Sequence, residues 1–172
     1  MSSNTAFDIL YRDYYRRVHG LCRRLLNSSE LAEDAAQETF MKAYRNFRKF
    51  DPERTFWSWV AAIASNHCID VLRQRSRSER LFGNESEEIE ALEDGGPAIL
   101  SSLIASEEAS ALHTAIEALP DKYRIPLVLA YLEQTSYDEI AERLEITRTH
   151  VGVLLLRAKQ RLRKHMDPGA SV

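Results

Sequence analysis

Apolar residues recur at helical spacing along most of the chain. From Phe7 to Leu26 they fall at Phe7, Leu10, Tyr14, Val18, Leu21 and Leu25, with Arg12, Arg16, Arg17, Arg23 and Arg24 on the other faces. Asn27-Ser28-Ser29 breaks the pattern and supplies an N-cap. Glu30 to Phe47 then predicts a second helix, burying Ala36, Phe40, Ala43 or Tyr44, and Phe47, and showing Asp34, Gln37, Glu38, Lys42 and Arg45 to the other side. Phe50 to Thr55 predicts a loop, because Asp-Pro followed by charges favours a turn. Phe56 to Arg75 predicts a third long helix with a core stripe of Trp59, Val60, Ile63, Ala64 and Val71 or Leu72. Asn66, Asp70, Arg73 and Arg77 are spaced to share one face of it.

The pattern returns at Glu107 to Leu119 and stops ahead of Pro120. Pro126 is expected in the first turn of the next helix, since a mid-helix proline loses a hydrogen bond and clashes with the preceding turn. Thr135 to Glu139 reads as a capping box, with Ser136 accepting from the Glu139 amide and the Glu139 carboxylate reaching back. Ile140, Ala141 and Leu144 follow, then a second start at Thr147 opens a longer helix carrying Val151, Leu155, Ala158 and Leu162. Two helices joined across Glu145-Ile146 fit helix-turn-helix spacing. Between the two blocks, Gly83 to Ser102 is centred on Gly95-Gly96-Pro97 and predicts a flexible or weakly helical linker. The expected fold class is all-α: a small helical domain over 1–78, an acidic linker over 79–106, and a second small helical domain over 107–172.

Charge changes this picture once it is divided by region. The net charge of −3 over 172 residues gives no hint of a nucleic-acid partner. Yet Met1–Ser76 holds twelve basic against nine acidic residues, Arg77–Ala118 two against ten, and Leu119–Val172 nine against seven. Two mildly basic blocks flank an acidic segment. Ile146 to His165 carries six Lys or Arg and no acid, and a basic second helix after a short first one is a nucleic-acid footprint. A helical hairpin with a solvated basic face is the alternative. Cys22 and Cys68 lie inside apolar patterns, without the spacing of a disulfide framework or a zinc site. No paired carboxylates, nucleophile-base set, Gly-rich phosphate loop or metal constellation is present, so no catalytic residue, metal or cofactor is expected. No apolar run approaches a membrane span and the N-terminus lacks a signal-peptide core, which points to a cytoplasmic protein with no membrane insertion and no small-molecule substrate.

The run from Ala32 to Tyr44 (AEDAAQETFMKAY) closely resembles the core-binding helix of bacterial sigma factors. Phe56 to Asn66 (FWSWVAAIASN), continuing into Asp70-Val71-Leu72-Arg73, resembles their −10 helix, and Ser136 to Ala141 with its helix-turn-helix completes the set. The two-block layout resembles the extracytoplasmic-function (ECF) group of the sigma-70 family, which has only the second and fourth sigma domains. The resemblance implies a promoter-specificity subunit of bacterial RNA polymerase, acting as an alternative sigma in transcription initiation. Its partners would be core polymerase, through the β′ clamp coiled coil and the β subunit, promoter DNA, and an anti-sigma factor clamping both blocks.

Residue by residue, the resemblance implies that Asp34, Gln37 and Glu38 contact the clamp. Two carboxylates and an amide on one face suit a basic partner helix, though a solvated face looks the same. It implies that Asn66 holds a nontemplate base flipped from the −10 element, with Arg73, Arg75 and Arg77 on phosphates. Trp57, off the core stripe, is a further stacking candidate there; Trp59, on it, is assigned to packing. For the −35 element the candidates are Gly152, Val153, Leu156, Arg157 and Lys159, with Arg148 and His150 as nearby polar additions; of the family's usual base-proximal polar set only Arg157 survives. Here the chain departs from the family, with Gly152, Val153 and Leu154 where Lys or Arg, Ser and Arg are usual. That leaves readout by apolar contact to thymine methyls, by Arg157 and by DNA shape, or an apolar face that binds an inhibitor protein instead. Glu145 and Gln134 stand where turn glycines are common, so strained turns are expected. The acidic linker resembles the segment that threads toward the active-site cleft; a nucleic-acid mimic and a plain spacer are both compatible with it. A dimeric helix-turn-helix regulator is the rival function, and it leaves the Asp34 face and the Phe56–Arg73 block unexplained.

Overall fold

The interruptions in the apolar pattern become helix ends held by specific caps. In the computed structural model, which describes residues 2–76, 81–82 and 109–166, every regular element among the described residues is helical. Helix α1 spans Ser3–Leu26, α2 Ser29–Arg45 and α3 Phe56–Arg75, with a 3-10 turn at Phe47–Lys49. The second group comprises α4 (Ala109–Glu117), α5 (Asp121–Leu127), a π-helical turn (Val128–Leu132), α6 (Tyr137–Leu144) and α7 (Arg148–Met166). The chain divides into two compact units, Met1–Arg77 and Ser78–Val172. The expected linker falls almost wholly outside the described residues, as do Arg77, Glu107 and Glu108.

In the first unit, Ser28 caps α2 by accepting from the Leu31 amide at 3.3 Å, and Asn27 turns the chain at φ 53. Thr55 caps α3, accepting from the Ser58 amide at 3.2 Å. Helix α1 packs against both α2 and α3, burying Val18, Leu21 and Leu25, while the buried face of α2 is built mainly from alanine: Ala32, Ala35, Ala36 and Ala43. Small residues let the three helices approach closely, and larger side chains fill what remains. Each of these leucines is fully buried, so truncation to alanine would cost about 2–5 kcal/mol. Cys22 and Cys68 sit inside this core as free thiols, and contact with Cys22, then burial, push the Cys68 thiol well up.

Two parts of the expected pattern shift. The buried stripe of α3 is Phe56, Val60, Ala61, Ala64, Ser65, Cys68, Ile69 and Leu72; Trp59, Ile63 and Val71 are only half-buried. Alanine, serine and cysteine carry too little hydrophobicity to mark a face that is nevertheless the one in contact. In α2, Ala43 is buried while Tyr44 is 51% exposed, and Phe47 lies in the 3-10 turn beyond the helix end. The displaced aromatics form a cluster of their own. Phe50 meets Trp59 at 5.1 Å, Phe56 meets Trp59 at 5.8 Å, and Phe47 meets Phe7 at 5.5 Å.

In the second unit the core is Leu112, Ile125, Leu127, Leu129, Ile140, Leu144, Val151, Leu154, Leu155 and Leu162. Pro126 is not in a first turn. Helix α5 starts at Asp121 behind Pro120, so Pro126 is inside it, and the chain relaxes into the π-helical turn directly afterwards. Widening the turn after a proline accommodates the missing donor without ending the helix. The buried Arg124 helps hold this corner, donating to the Leu119 carbonyl at 2.9 Å and pairing with Asp121.

Candidate functional site

The α2 surface is positioned by its alanine-lined underside. With Ala32, Ala35, Ala36 and Ala43 facing inward, Asp34 and Gln37 are fully presented and Glu38 is half-exposed beside them. Thr39, a polar residue on the buried side, is satisfied by donating to the Ala35 carbonyl at 2.7 Å. The outward face continues through Met41 and Tyr44, each about half-exposed. These two join Phe7, Tyr11, Gln37, Phe40 and Arg45 around an open, mainly apolar hollow of about 350 Å³. Periodicity did not single out Met41 and offered Tyr44 for the core; the signal was an apolar residue recurring on the charged side of the helix. Lys42 turns toward α3 instead and donates to His67 Nδ1 at 3.0 Å. Burial and the Lys42 charge hold the His67 pKa below the usual imidazole value, against the opposing pull of Glu38 and Asp70.

Helix α3 carries the next set. Asn66 is exposed, Arg75 is exposed, and the half-buried Arg73 faces Asp70 at 3.8 Å. Asn66, Asp70 and Arg73 therefore do share a face; Arg77 lies outside the described residues. The loop before α3 is braced by Asp51, which accepts from the Glu53 amide at 3.0 Å, and by the aromatic cluster beneath it. Trp57 is half-buried and already engaged: the Arg17 guanidinium lies over its ring at 3.8 Å and Tyr14 runs nearly parallel to it at 6.4 Å. One indole face is thus occupied by a cation, so a base can stack only on the other or after Arg17 moves.

The helix-turn-helix is α6 and α7. Ser136 accepts from the Glu139 amide at 3.2 Å, the first half of the expected capping box; the Glu139 carboxylate faces Arg143 at 3.9 Å instead. Thr147 caps α7, accepting from the His150 amide at 3.0 Å. The turn residues Gln134 and Glu145 take φ of 53° and 57°, the left-handed conformation anticipated where glycine is replaced. Arg148 pairs across the turn with Asp138 at 3.3 Å, both largely exposed. The polar reader expected at His150 is corrected: its side chain is only 3% exposed, packed on the inner side of α7 next to Val151. The first turn of α7 seats it there, because position 150 precedes 154 and 158 on the buried stripe. Gly152, Val153, Leu156, Arg157 and Lys159 are all partly exposed, and Lys159 lies over the Tyr131 ring at 5.1 Å. Among the described residues no group of His, Cys, Asp and Glu gathers as a metal site, and no helix is long and apolar enough to cross a membrane.

Comparison with known proteins meets this geometry at both ends. Residues 10–78 match the family Sigma-70 region 2, and residues 109–162 match Sigma-70, region 4. The ECF RNA polymerase sigma factor SigW of Bacillus subtilis is 32% identical, across 94% of this chain and 89% of its own length. The RNA polymerase sigma-H factor of Pseudomonas aeruginosa is 30% identical, across 95% and 87%. Among solved structures, the sigma factor RpoE in complex with the anti-sigma factor NepR from Bartonella quintana superposes with a TM-score of 0.62 at 19% identity, covering 95% of this chain and 98% of that one. CnrH in complex with the cytosolic domain of CnrY gives 0.57 at 20% identity, covering 98% and 92%. These two show the fold; the sequence relatives and the paired domains show the family. The chain belongs to the extracytoplasmic-function group of RNA polymerase sigma factors in the sigma-70 family.

Proposed function

We propose that this chain is an alternative sigma factor that joins core RNA polymerase in the cytoplasm, directs it to specific promoters and helps melt the start region. The observation that carries this is the pairing, in one chain and in order, of a region 2 domain with an exposed acidic α2 face and a region 4 domain with a basic helix-turn-helix. No covalent chemistry is involved; selectivity comes from binding alone. The domain limits are taken as 1–78, 79–106 and 107–172.

Asp34, Gln37 and Glu38 dock on the polymerase clamp, where one exposed and one half-exposed carboxylate suit a basic coiled coil. Asn66 reads an extruded −10 base, since a solvent-facing amide both donates and accepts at a base edge. Arg75 and Arg73 sit on phosphates; Arg73 exchanges its long contact with Asp70 for that role. Helix α7 enters the −35 major groove with Arg148, Gly152, Val153, Leu156, Arg157 and Lys159 toward DNA. Control by an anti-sigma factor is part of the reading, supported by one similar fold having been solved with such a partner.

Transcription in vitro by core polymerase plus this protein on genomic DNA, with start sites mapped, tests the proposal. The expected result is a set of starts that share two upstream elements and vanish without the protein. A dimeric regulator would instead bind a palindromic duplex unaided and yield no starts of its own.

A further inference from the structure

Gly152 stands in the body of α7, where only proline is less favourable than glycine. Its backbone is ordinary helix, and a Cβ built on it meets nothing within 4 Å. Neither a turn nor a neighbour inside the domain calls for the missing side chain. A glycine with no internal reason fits close approach of a ligand to the backbone. The residues around it indicate which ligand. Val153 and Leu156 are partly exposed on the same side, with Thr149 before them and Gln160 after, while Val151, Leu154, Leu155, Ala158 and Leu162 are buried opposite. This short apolar strip is framed by Arg148, Arg157, Lys159, Arg161, Arg163 and Lys164, with no acidic residue between Ile146 and His165.

An apolar strip flanked along α7 by basic side chains suits a polyanion that offers apolar groups along a groove. In the DNA major groove that group is the thymine 5-methyl, and a guanine or cytosine edge would leave the strip facing unmatched donors and acceptors. At 1.5 Å rise per residue, Gly152 to Leu156 spans roughly 6 Å, or about two base-pair steps. We propose that α7 selects adjacent thymine methyls in the −35 element through Val153 and Leu156, with Gly152 admitting the helix backbone close to the base edges. This rests on the reading of α7 as the −35 helix and goes further, choosing thymine methyls over Arg157 and DNA shape as what is read and giving Gly152 the role of admitting the backbone.

The test uses holoenzyme reconstituted from core polymerase and the full chain, on a promoter taken from mapped starts. Each −35 thymine is replaced in turn by deoxyuridine, which removes only the methyl. Affinity is expected to fall about fourfold per contacted methyl, the equivalent of one buried methylene, at one or two neighbouring A·T pairs. Gly152→Ala is expected to keep or raise the thermal midpoint of the domain, because alanine is the better helix former, and yet to weaken promoter binding. Val153→Thr, with a hydroxyl in place of a methyl, is expected to shrink the preference for thymine over uracil. A protected −35 region with equal affinity for both duplexes overturns the proposal alone and leaves that face to a protein partner. Gly152→Ala binding as tightly as the parent also overturns it. Protection of the −10 region with none at −35 removes the reading of α7 and the proposal together.

Discussion

At the scale of single residues, the two strained turns of the second unit are the easiest to test. Glu145 ends α6 in the left-handed conformation at φ 57, where an L side chain crowds its own carbonyl and glycine does not. Asn27, at φ 53, is the residue type that tolerates this region best; glutamate has no such advantage. Replacing Glu145 by glycine should therefore stabilise the unit by about 1 kcal/mol, after allowing for the freedom glycine gains when unfolded. Calorimetry would read this as a rise of roughly 4–8 °C in midpoint, and an unchanged or lower midpoint would mean the turn is relaxed by its surroundings. Asn66 tests function rather than stability. Its side chain is exposed and its neighbours Ser65 and Cys68 carry the packing, so Asn66→Ala should leave the fold intact. Open-complex formation should drop about 10- to 100-fold, the loss of one bidentate base contact, while binding to closed duplex stays near the parent value. Permanganate reactivity of melted thymines separates the two steps; equal loss of both would reduce Asn66 to a support for the helix.

At the scale of elements, α2 and α3 are joined by a contact that periodicity did not disclose. Lys42 crosses to His67, tying the helix proposed to bind polymerase to the helix proposed to open DNA. Folding lowers the His67 pKa, so the folded protein holds fewer protons on this ring than the unfolded chain does. Acid then favours unfolding: stability is unaffected well above about pH 6.5 and falls as pH drops through that value. His67→Gln should flatten this part of the stability profile, which denaturant titrations between pH 5 and 8 would show. The α2 face itself is testable by charge. Asp34→Arg with Glu38→Arg alters one exposed and one half-exposed position away from the alanine-lined underside, so circular dichroism should be unchanged. Retention on core polymerase should fall by at least 100-fold at moderate salt, and undiminished co-purification would place the interface elsewhere. These elements also show what could be read in advance. Helix existence, the caps at Ser28, Ser136 and Thr147, and the glycine-like turns followed from local chemistry that acts over three or four residues. The inner face of α3 did not, because Ala61, Ser65 and Cys68 are weakly apolar and only tertiary contact selects them over Trp59 and Ile63. His150 was misread for the same reason: a histidine in a basic segment looks solvent-facing until its position on the helix is fixed. Pro126 reflects a different gap, since a π-helical turn leaves no signature in the spacing of apolar residues.

At the scale of the whole molecule, each unit closes a hydrophobic core of its own, so promoter selectivity depends on what the covalent connection adds. Each unit by itself offers a modest surface: the first an acidic α2 and one exposed face of α3, the second a single helix whose proposed reading strip is short. Weak contacts of this kind become strong when engagement of one raises the local concentration of the other to the millimolar range. The chain between residues 78 and 107 supplies that linkage whatever path it follows. Fragments 1–78 and 107–172 should thus unfold as separate cooperative units, each with its own midpoint, which scanning calorimetry checks first. Mixed in trans with core polymerase at micromolar concentration, they should occupy a −35-dependent promoter about 100- to 10,000-fold less than the intact chain does. Raising the concentration of fragment 107–172 should recover part of the loss, because mass action replaces the tether. Full transcription from fragment 1–78 alone would show instead that the −35 contact adds nothing at that promoter. Parental activity from the two fragments at low concentration would mean that a surface of either unit, rather than the chain between them, holds the pair on polymerase.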